Sequence, residues 1–184
     1  MRPRAVSIDS SQPRVDPLSP GPNLIIEQTE TLVGIGWREW VGLPDLGIET
    51  IKAKVDTGAR TSSLHALDIE EFTHEGVRYV RFEVHPEQYN PEFTVECVAP
   101  VVDMRRVIPS SGHSEIRPVI ETTVELLGAR WNIEITLTER GGMGFRMLLG
   151  RQAIRQRATV DPGASFVGGR RLKGTKRLNN TYSL

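Results

Sequence analysis

A chain of 184 residues accommodates one domain of about 100–200 residues with tails and leaves no room for two large ones. With 38% hydrophobic and 25% charged residues and a formal net charge of +0, it carries no overall bias toward nucleic acid or a membrane surface. Its single cysteine, Cys97, excludes an internal disulfide framework and a cysteine zinc cluster, and suits a reducing compartment.

Residues 1–23 are rich in Pro, Ser, Arg and Asp and read as a disordered leader. They lack the apolar core of a secretory signal, and no apolar run approaches the roughly 18–20 residues that span a bilayer. The expectation is a cytoplasmic protein with neither a nucleic-acid nor a membrane partner.

The ordered domain is expected over 24–167. Strand signals cover 31–40, 48–55, 77–85, 93–102, 119–126, 131–138 and 146–149. Alternation is clearest in Val77-Arg78-Tyr79-Val80-Arg81-Phe82-Glu83-Val84 and in Trp131-Asn132-Ile133-Glu134-Ile135-Thr136-Leu137. Glu75-Gly76, Leu127-Gly128 and Gly141-Gly142 supply turns. Cys97 falls inside a strand, where it reads as a buried side chain. Helical periodicity is confined to one short segment, 151–157. The pattern predicts an all-β domain, a small closed or partly closed barrel, because closure removes exposed sheet edges. Residues 168–184 form a basic, glycine-rich tail read as a flexible extension.

Basic charge is carried mainly by arginine. Only Lys52, Lys54, Lys173 and Lys176 are lysines, leaving 19 arginines among 23 Lys and Arg. The guanidinium fork suits carboxylates and phosphates, and a GC-rich genome would produce the same bias without functional cause.

One segment carries chemistry: Ile51-Lys52-Ala53-Lys54-Val55-Asp56-Thr57-Gly58-Ala59-Arg60-Thr61-Ser62-Ser63-Leu64. A strand runs into a carboxylate, a hydroxyl and a glycine. That order can hold an acid at the mouth of a turn, with Gly58 permitting the sharp bend and the Thr57 hydroxyl anchoring the loop. The same residues are also ordinary turn formers.

Val55-Asp56-Thr57-Gly58-Ala59 resembles the entry to the catalytic loop of the retropepsins, aspartic peptidases of retroviral type. Met147-Leu148-Leu149-Gly150-Arg151, about 90 residues further on, resembles their second hallmark, an apolar pair followed by Gly-Arg and a short helix. Within that superfamily the chain is most similar to the bacterial group labelled ATP-dependent zinc proteases. The likeness rests on Ile35-Gly36-Trp37-Arg38-Glu39-Trp40-Val41, the 52–66 stretch, Ser110-Ser111-Gly112-His113 with Arg117-Pro118-Val119, and Phe145-Arg146-Met147-Leu148-Leu149-Gly150-Arg151, and it covers roughly 31–167.

The resemblance implies a small closed β-barrel of retropepsin-like, acid-protease type with one short C-terminal helix. It assigns catalysis to Asp56, Thr57 and Gly58, and substrate binding to Ala59, Arg60, Ser111, Gly112, His113 and Arg151. One Asp-Thr-Gly is present where the chemistry needs two carboxylates, so it also implies a homodimer. The Val107–Glu115 segment becomes the flap candidate, or an ordinary hydrophilic connection.

Arg60 departs from the viral pattern, which puts there an acid able to pair with the later arginine. Arg60 and Arg151 carry like charge, so either the interface differs or both face an acid such as Glu115, Glu139 or substrate. With Arg105, Arg106, Arg117, Arg140 and Arg146 placed near the cleft or flap, an acidic substrate fits, and surface arginines with no ligand fit equally. The resemblance implies a protein or peptide substrate of this kind, the glutamate-rich tail of a ribosomal protein added by glutamate ligases. His65 and His113 read as site-tuning groups or as solvated side chains.

No cofactor or metal is expected. His65, His74, His85 and His113 lack His-Glu-x-x-His spacing, and no phosphate-cradling Gly-x-x-x-x-Gly-Lys-Ser/Thr loop occurs, against both words of the group's label. The reading is an aspartic peptidase. A non-catalytic retropepsin-fold peptide-binding module and a zinc-dependent hydrolase stand as alternatives.

Overall fold

A computed structural model describes residues 32–87, 90, 93–108, 112, 114–139 and 144–169. The leader, most of the basic tail, Ser111, His113, Arg140 and the Gly141-Gly142 turn lie outside the described residues.

The elements are β1 (Val33–Gly36), β2 (Arg38–Leu43), a 3-10 turn (Pro44–Leu46), β3 (Ile48–Asp56), β4 (Ser62–His65), β5 (Leu67–His74), β6 (Val77–Val84), β7 (Val95–Val107), β8 (Glu115–Leu126), β9 (Ala129–Thr138), β10 (Met147–Gly150), α1 (Arg151–Ile154) and β11 (Ala158–Asp161). Six strands close a ring in the order β2-β3-β10-β4-β9-β8, with β8 returning to β2 through Gly42 opposite Glu125. The expected closed barrel is therefore present. β7, β6 and β5 extend outward from β8, and β1 pairs in parallel with β11 as a separate two-stranded sheet.

Alternation explains the barrel wall. In β3, Ile48, Ile51, Ala53 and Val55 are buried while Lys52 is half-buried and Lys54 exposed. Leu64, Phe82, Ile120, Leu126, Ile135, Leu137, Met147 and Leu149 fill the core from other strands. Cys97 is buried on β7, as its strand setting predicted. At Glu75-Gly76 and Leu127-Gly128 both central residues have positive φ (50° and 78°, 53° and 80°), the turn whose twist matches that of the flanking hairpin strands.

Several elements differ from the sequence expectation. The strand predicted over 31–40 breaks at Trp37 and resumes to Leu43, because a chain that must leave one sheet and enter another bends there. β4 and β5 carry no clean alternation, β4 being buried at all four positions and β5 largely exposed, and β11 is only four residues long. The helix is only four residues long, tied to the barrel by Trp131 Nε1 donating to the Ala153 carbonyl at 2.7 Å.

Candidate active site

Asp56 ends β3, and its partner in the parallel pairing with β10 is Gly150, so the two sequence hallmarks meet side by side. β10 is threaded between β3 and β4, parallel to one and antiparallel to the other. This crossing forces close approach: a Cβ on Gly150 would lie 2.5 Å from the Thr61 carbonyl carbon and 2.8 Å from the Ser62 nitrogen. The Gly150 amide donates to the Ser62 hydroxyl at 3.1 Å, and the Thr136 hydroxyl donates to the Ser62 carbonyl at 3.1 Å. Ser62 thereby pins three strands where the loop re-enters the barrel.

The turn after Asp56 is ordered from two sides. Asp56 Oδ1 accepts the amides of Gly58 and Ala59, each at 3.1 Å. Such bonds fix the carboxylate's rotamer. From outside, Arg151 Nη1 donates to the Gly58 carbonyl at 3.0 Å and to the Thr57 carbonyl at 3.4 Å. The first amides of α1 close the arrangement, Arg151 N–H on the Ala59 carbonyl at 3.0 Å and Gln152 N–H on that of Arg60 at 3.1 Å. Those amides have no partner within a helix, so the loop caps the helix while the helix orders the loop.

The structure thus brings Asp56, Thr57, Gly58, Ala59, Arg60 and Arg151 together. Two details differ from expectation. The Thr57 hydroxyl makes no hydrogen bond among the described residues and Thr57 is exposed; Arg151 anchors the loop instead. Gly58 has no positive φ, and its requirement is space, since a Cβ there would sit 3.2 Å from Asp56 Oδ1. Arg151 faces carbonyl oxygens, which resolves its like charge with Arg60: neither needs the other. Beside Thr57 a depression of about 590 Å³ runs over Arg151, Ile154, Ala158 and Val160.

β7 and β8 pair out to Val107 opposite Glu115, making the Val107–Glu115 segment the connection of a long hairpin. Gly112 is exposed there with φ 86°. Arg105 on this hairpin donates to the Thr61 hydroxyl at 3.2 Å and pairs with Asp103 at 2.8 Å and Glu134 at 3.0 Å. Arg117 is buried and bonded to Glu115. These two arginines are already engaged by carboxylates of this chain. His65 is no loop residue: it is buried on β4, and burial, then the charge of Arg146, pull its imidazole below the ordinary range. Among the described residues no three His, Cys, Asp or Glu side chains gather as a metal site. No helix among the described residues is long and apolar enough to cross a membrane.

Sequence reading passed over Ser62, Thr61 and the basic face of β2 and β3. Counting back from Asp56 in steps of two would have found Lys54 and Lys52.

A six-stranded barrel with Asp-Thr-Gly at one strand end, locked against a threaded Gly-Arg strand and its short helix, defines the retropepsin-like class. Residues 34–171 match the model of the RimB-like family, described as retropepsin-like aspartic endopeptidase RimB, and the chain belongs to that family. It is 45% identical over 150 residues to a protein of Shewanella pealeana named "Probable alpha-L-glutamate ligase", covering 82% of this chain and 32% of that one. A Desulfotalea psychrophila protein of the same name is 50% identical over 128 residues, covering 70% and 28%. The chain thus spans about a third of the length of these curated relatives. A crystal structure of a Legionella pneumophila protein of unknown function superposes with a TM-score of 0.64 at 32% identity, covering 74% of this chain and 98% of that one.

Proposed function

We propose that this chain is an aspartic endopeptidase, completed as a homodimer, that hydrolyses peptide bonds in acidic, glutamate-rich protein tails. The observation that carries the reading is the placement of Asp56: a carboxylate at a rigid strand end, its rotamer set by two amides and its turn clamped by Arg151. The chain has a single Asp-Thr-Gly, and a second copy supplies the second carboxylate. The exposed Thr57 and the depression beside it give that copy a surface to meet.

Two carboxylates about 3 Å apart cannot both ionise cheaply, so the pair shares one proton and titrates as a unit. The ionised member takes a proton from the attacking water. The protonated member donates to the scissile carbonyl oxygen as it gains charge, and the tetrahedral intermediate collapses with proton transfer to the leaving amine.

The acidic preference draws on the names of the relatives. An alpha-L-glutamate ligase of which this domain matches about a third points to a glutamate-bearing chain as the shared substrate class. The ligase name belongs to those longer proteins; the Asp-Thr-Gly turn at a rigid strand end supports the hydrolytic reading for this chain.

The test is cleavage of a protein carrying a C-terminal run of glutamates, followed by mass spectrometry, with the purified chain and its Asp56→Asn variant, each sized by light scattering. Cleavage by a dimer, lost in Asp56→Asn and indifferent to chelator, is the expected result. Hydrolysis that survives the substitution, or that chelator removes and zinc restores, would overturn the reading.

A further inference from the structure

Side chains two residues apart on a strand share a face. On β3 this puts Lys52 and Lys54 on the face of Asp56, with Ile51, Ala53 and Val55 turned to the core. Lys54 lies across from Arg38 on β2 and from Leu148 on β10, and Lys52 lies across from Trp40. Aromatic rings tie the cations together. The Arg38 guanidinium carbon is 4.4 Å from the Trp37 ring centre and 4.8 Å from that of Phe166. Trp37 meets Phe145 edge-on at 5.9 Å, and the Lys52 amine sits 4.8 Å from the Phe145 ring.

Like charges gathered on one face repel, and proteins ordinarily offset them with carboxylates. Among the described residues none of Arg38, Lys52 and Lys54 forms an ion pair, with Asp56 or any other acid. Glu39, adjacent in sequence, is committed to the opposite face, where it accepts the amides of Gly36 at 2.8 Å and Val167 at 2.9 Å. The Nε of Arg38 is buried without an acceptor among the described residues. Burial, then the charge of Arg38, pulls the Lys52 amine below the ordinary lysine range. An incoming carboxylate would offset the uncompensated like charge of the three cations.

We propose that Lys54 and Arg38, backed by Lys52, form the subsite that takes the carboxylate of an acidic substrate residue flanking the bond presented to Asp56. The inference rests on the reading of Asp56 as the peptidase carboxylate. Lys54 stands two strand residues from Asp56, roughly 7 Å along the sheet, a separation that the side chain of a neighbouring substrate residue spans. Arg38 supplies a planar fork and Lys54 a mobile point charge, while Leu148 and Phe145 offer apolar contact to the methylenes that carry the acid. These side chains set specificity and do no chemistry.

Binding and turnover are measured apart. The full chain carrying Asp56→Asn is titrated calorimetrically with hexaglutamate and with hexaglutamine peptides. The acidic peptide binds more tightly, and adding Lys54→Met lowers its affinity about tenfold or more, the effect of one lost charge-assisted contact, with hexaglutamine unchanged. Arg38→Lys, which keeps charge without the fork, gives a smaller loss than Arg38→Met. The proposal is overturned if Lys54→Met unfolds at the parent temperature yet binds hexaglutamate as tightly as the parent does. It is equally overturned if the parent fails to distinguish the peptides or binds neither. Cleavage is then followed with Asp56 intact: charge-selective binding in a protein that hydrolyses neither peptide leaves the subsite standing and removes the peptidase reading.

Discussion

Arg151 holds the Asp56 turn through Gly58: the guanidinium donates to the Gly58 carbonyl at 3.0 Å while the Gly58 amide donates to Asp56 Oδ1 at 3.1 Å. One peptide segment is thus gripped from both sides, by the charge that would do chemistry and by a charge that only positions it. Replacing Arg151 by Met removes the outer grip. The side chain is exposed, so unfolding free energy should fall by about 1 kcal/mol or less, whereas peptidase kcat should fall by on the order of tenfold to a hundredfold as the carboxylate drifts. Arg151→Lys should recover little, since an amine on a flexible stem reaches two carbonyls poorly. Equal kcat in all three proteins would show that the turn needs no clamp.

Asp56→Asn keeps an oxygen that can accept the amides of Gly58 and Ala59. Stability by urea denaturation should stay within about 1 kcal/mol of the parent while hydrolysis falls by at least about a thousandfold. A large loss of stability would mean that the charge is structural.

Gly150→Ala places a methyl 2.5 Å from the Thr61 carbonyl carbon, against backbone on both sides. Neither neighbour can rotate away, so a destabilisation of about 1–3 kcal/mol or more is expected, together with loss of the proposed activity, because Thr61 and Ser62 follow the Asp-Thr-Gly turn. An unchanged urea midpoint would contradict the close threading of β10.

His65 makes stability depend on pH. Its folded pKa is depressed, by burial first and then by Arg146, with its Thr138 backbone bond acting the other way. The unfolded chain therefore takes up a proton first as pH falls below about 6.5, and the contribution present above that pH is lost as pH drops toward the folded value. Melting temperatures from pH 8 to 5 should decline more steeply in the parent than in His65→Gln. Parallel curves would assign the pH dependence elsewhere.

Burial pushes the Cys97 thiol up to about 12, with Sγ 3.6 Å from the Leu46 carbonyl. Native protein should react with a thiol reagent at neutral pH only at its unfolding rate, and denaturant should release one equivalent at once. Rapid reaction of the folded protein would mean that β7 opens locally.

The sequence alone was sufficient for what depends on local pattern. Strand alternation over Val77–Val84 and 131–137, the turn pairs at Glu75-Gly76 and Leu127-Gly128, and the Asp-Thr-Gly and Gly-Arg hallmarks each announce themselves within a few residues, because pleat, turn twist and glycine's small size act over that distance. β4 was invisible, since a strand buried on both faces has no alternation to read. Tertiary structure decided how distant segments meet. Threading β10 between β3 and β4 brought Arg151 onto the Gly58 carbonyl, a partner that charge counting cannot foresee because a carbonyl carries no formal charge. The β2–β3 pairing set Arg38 across from Lys54 on the face of Asp56, while Arg105 and Arg117 were drawn into ion pairs of their own. Which cations are free is a property of the register between strands, and register is fixed only when the barrel closes and each strand must choose the face it buries.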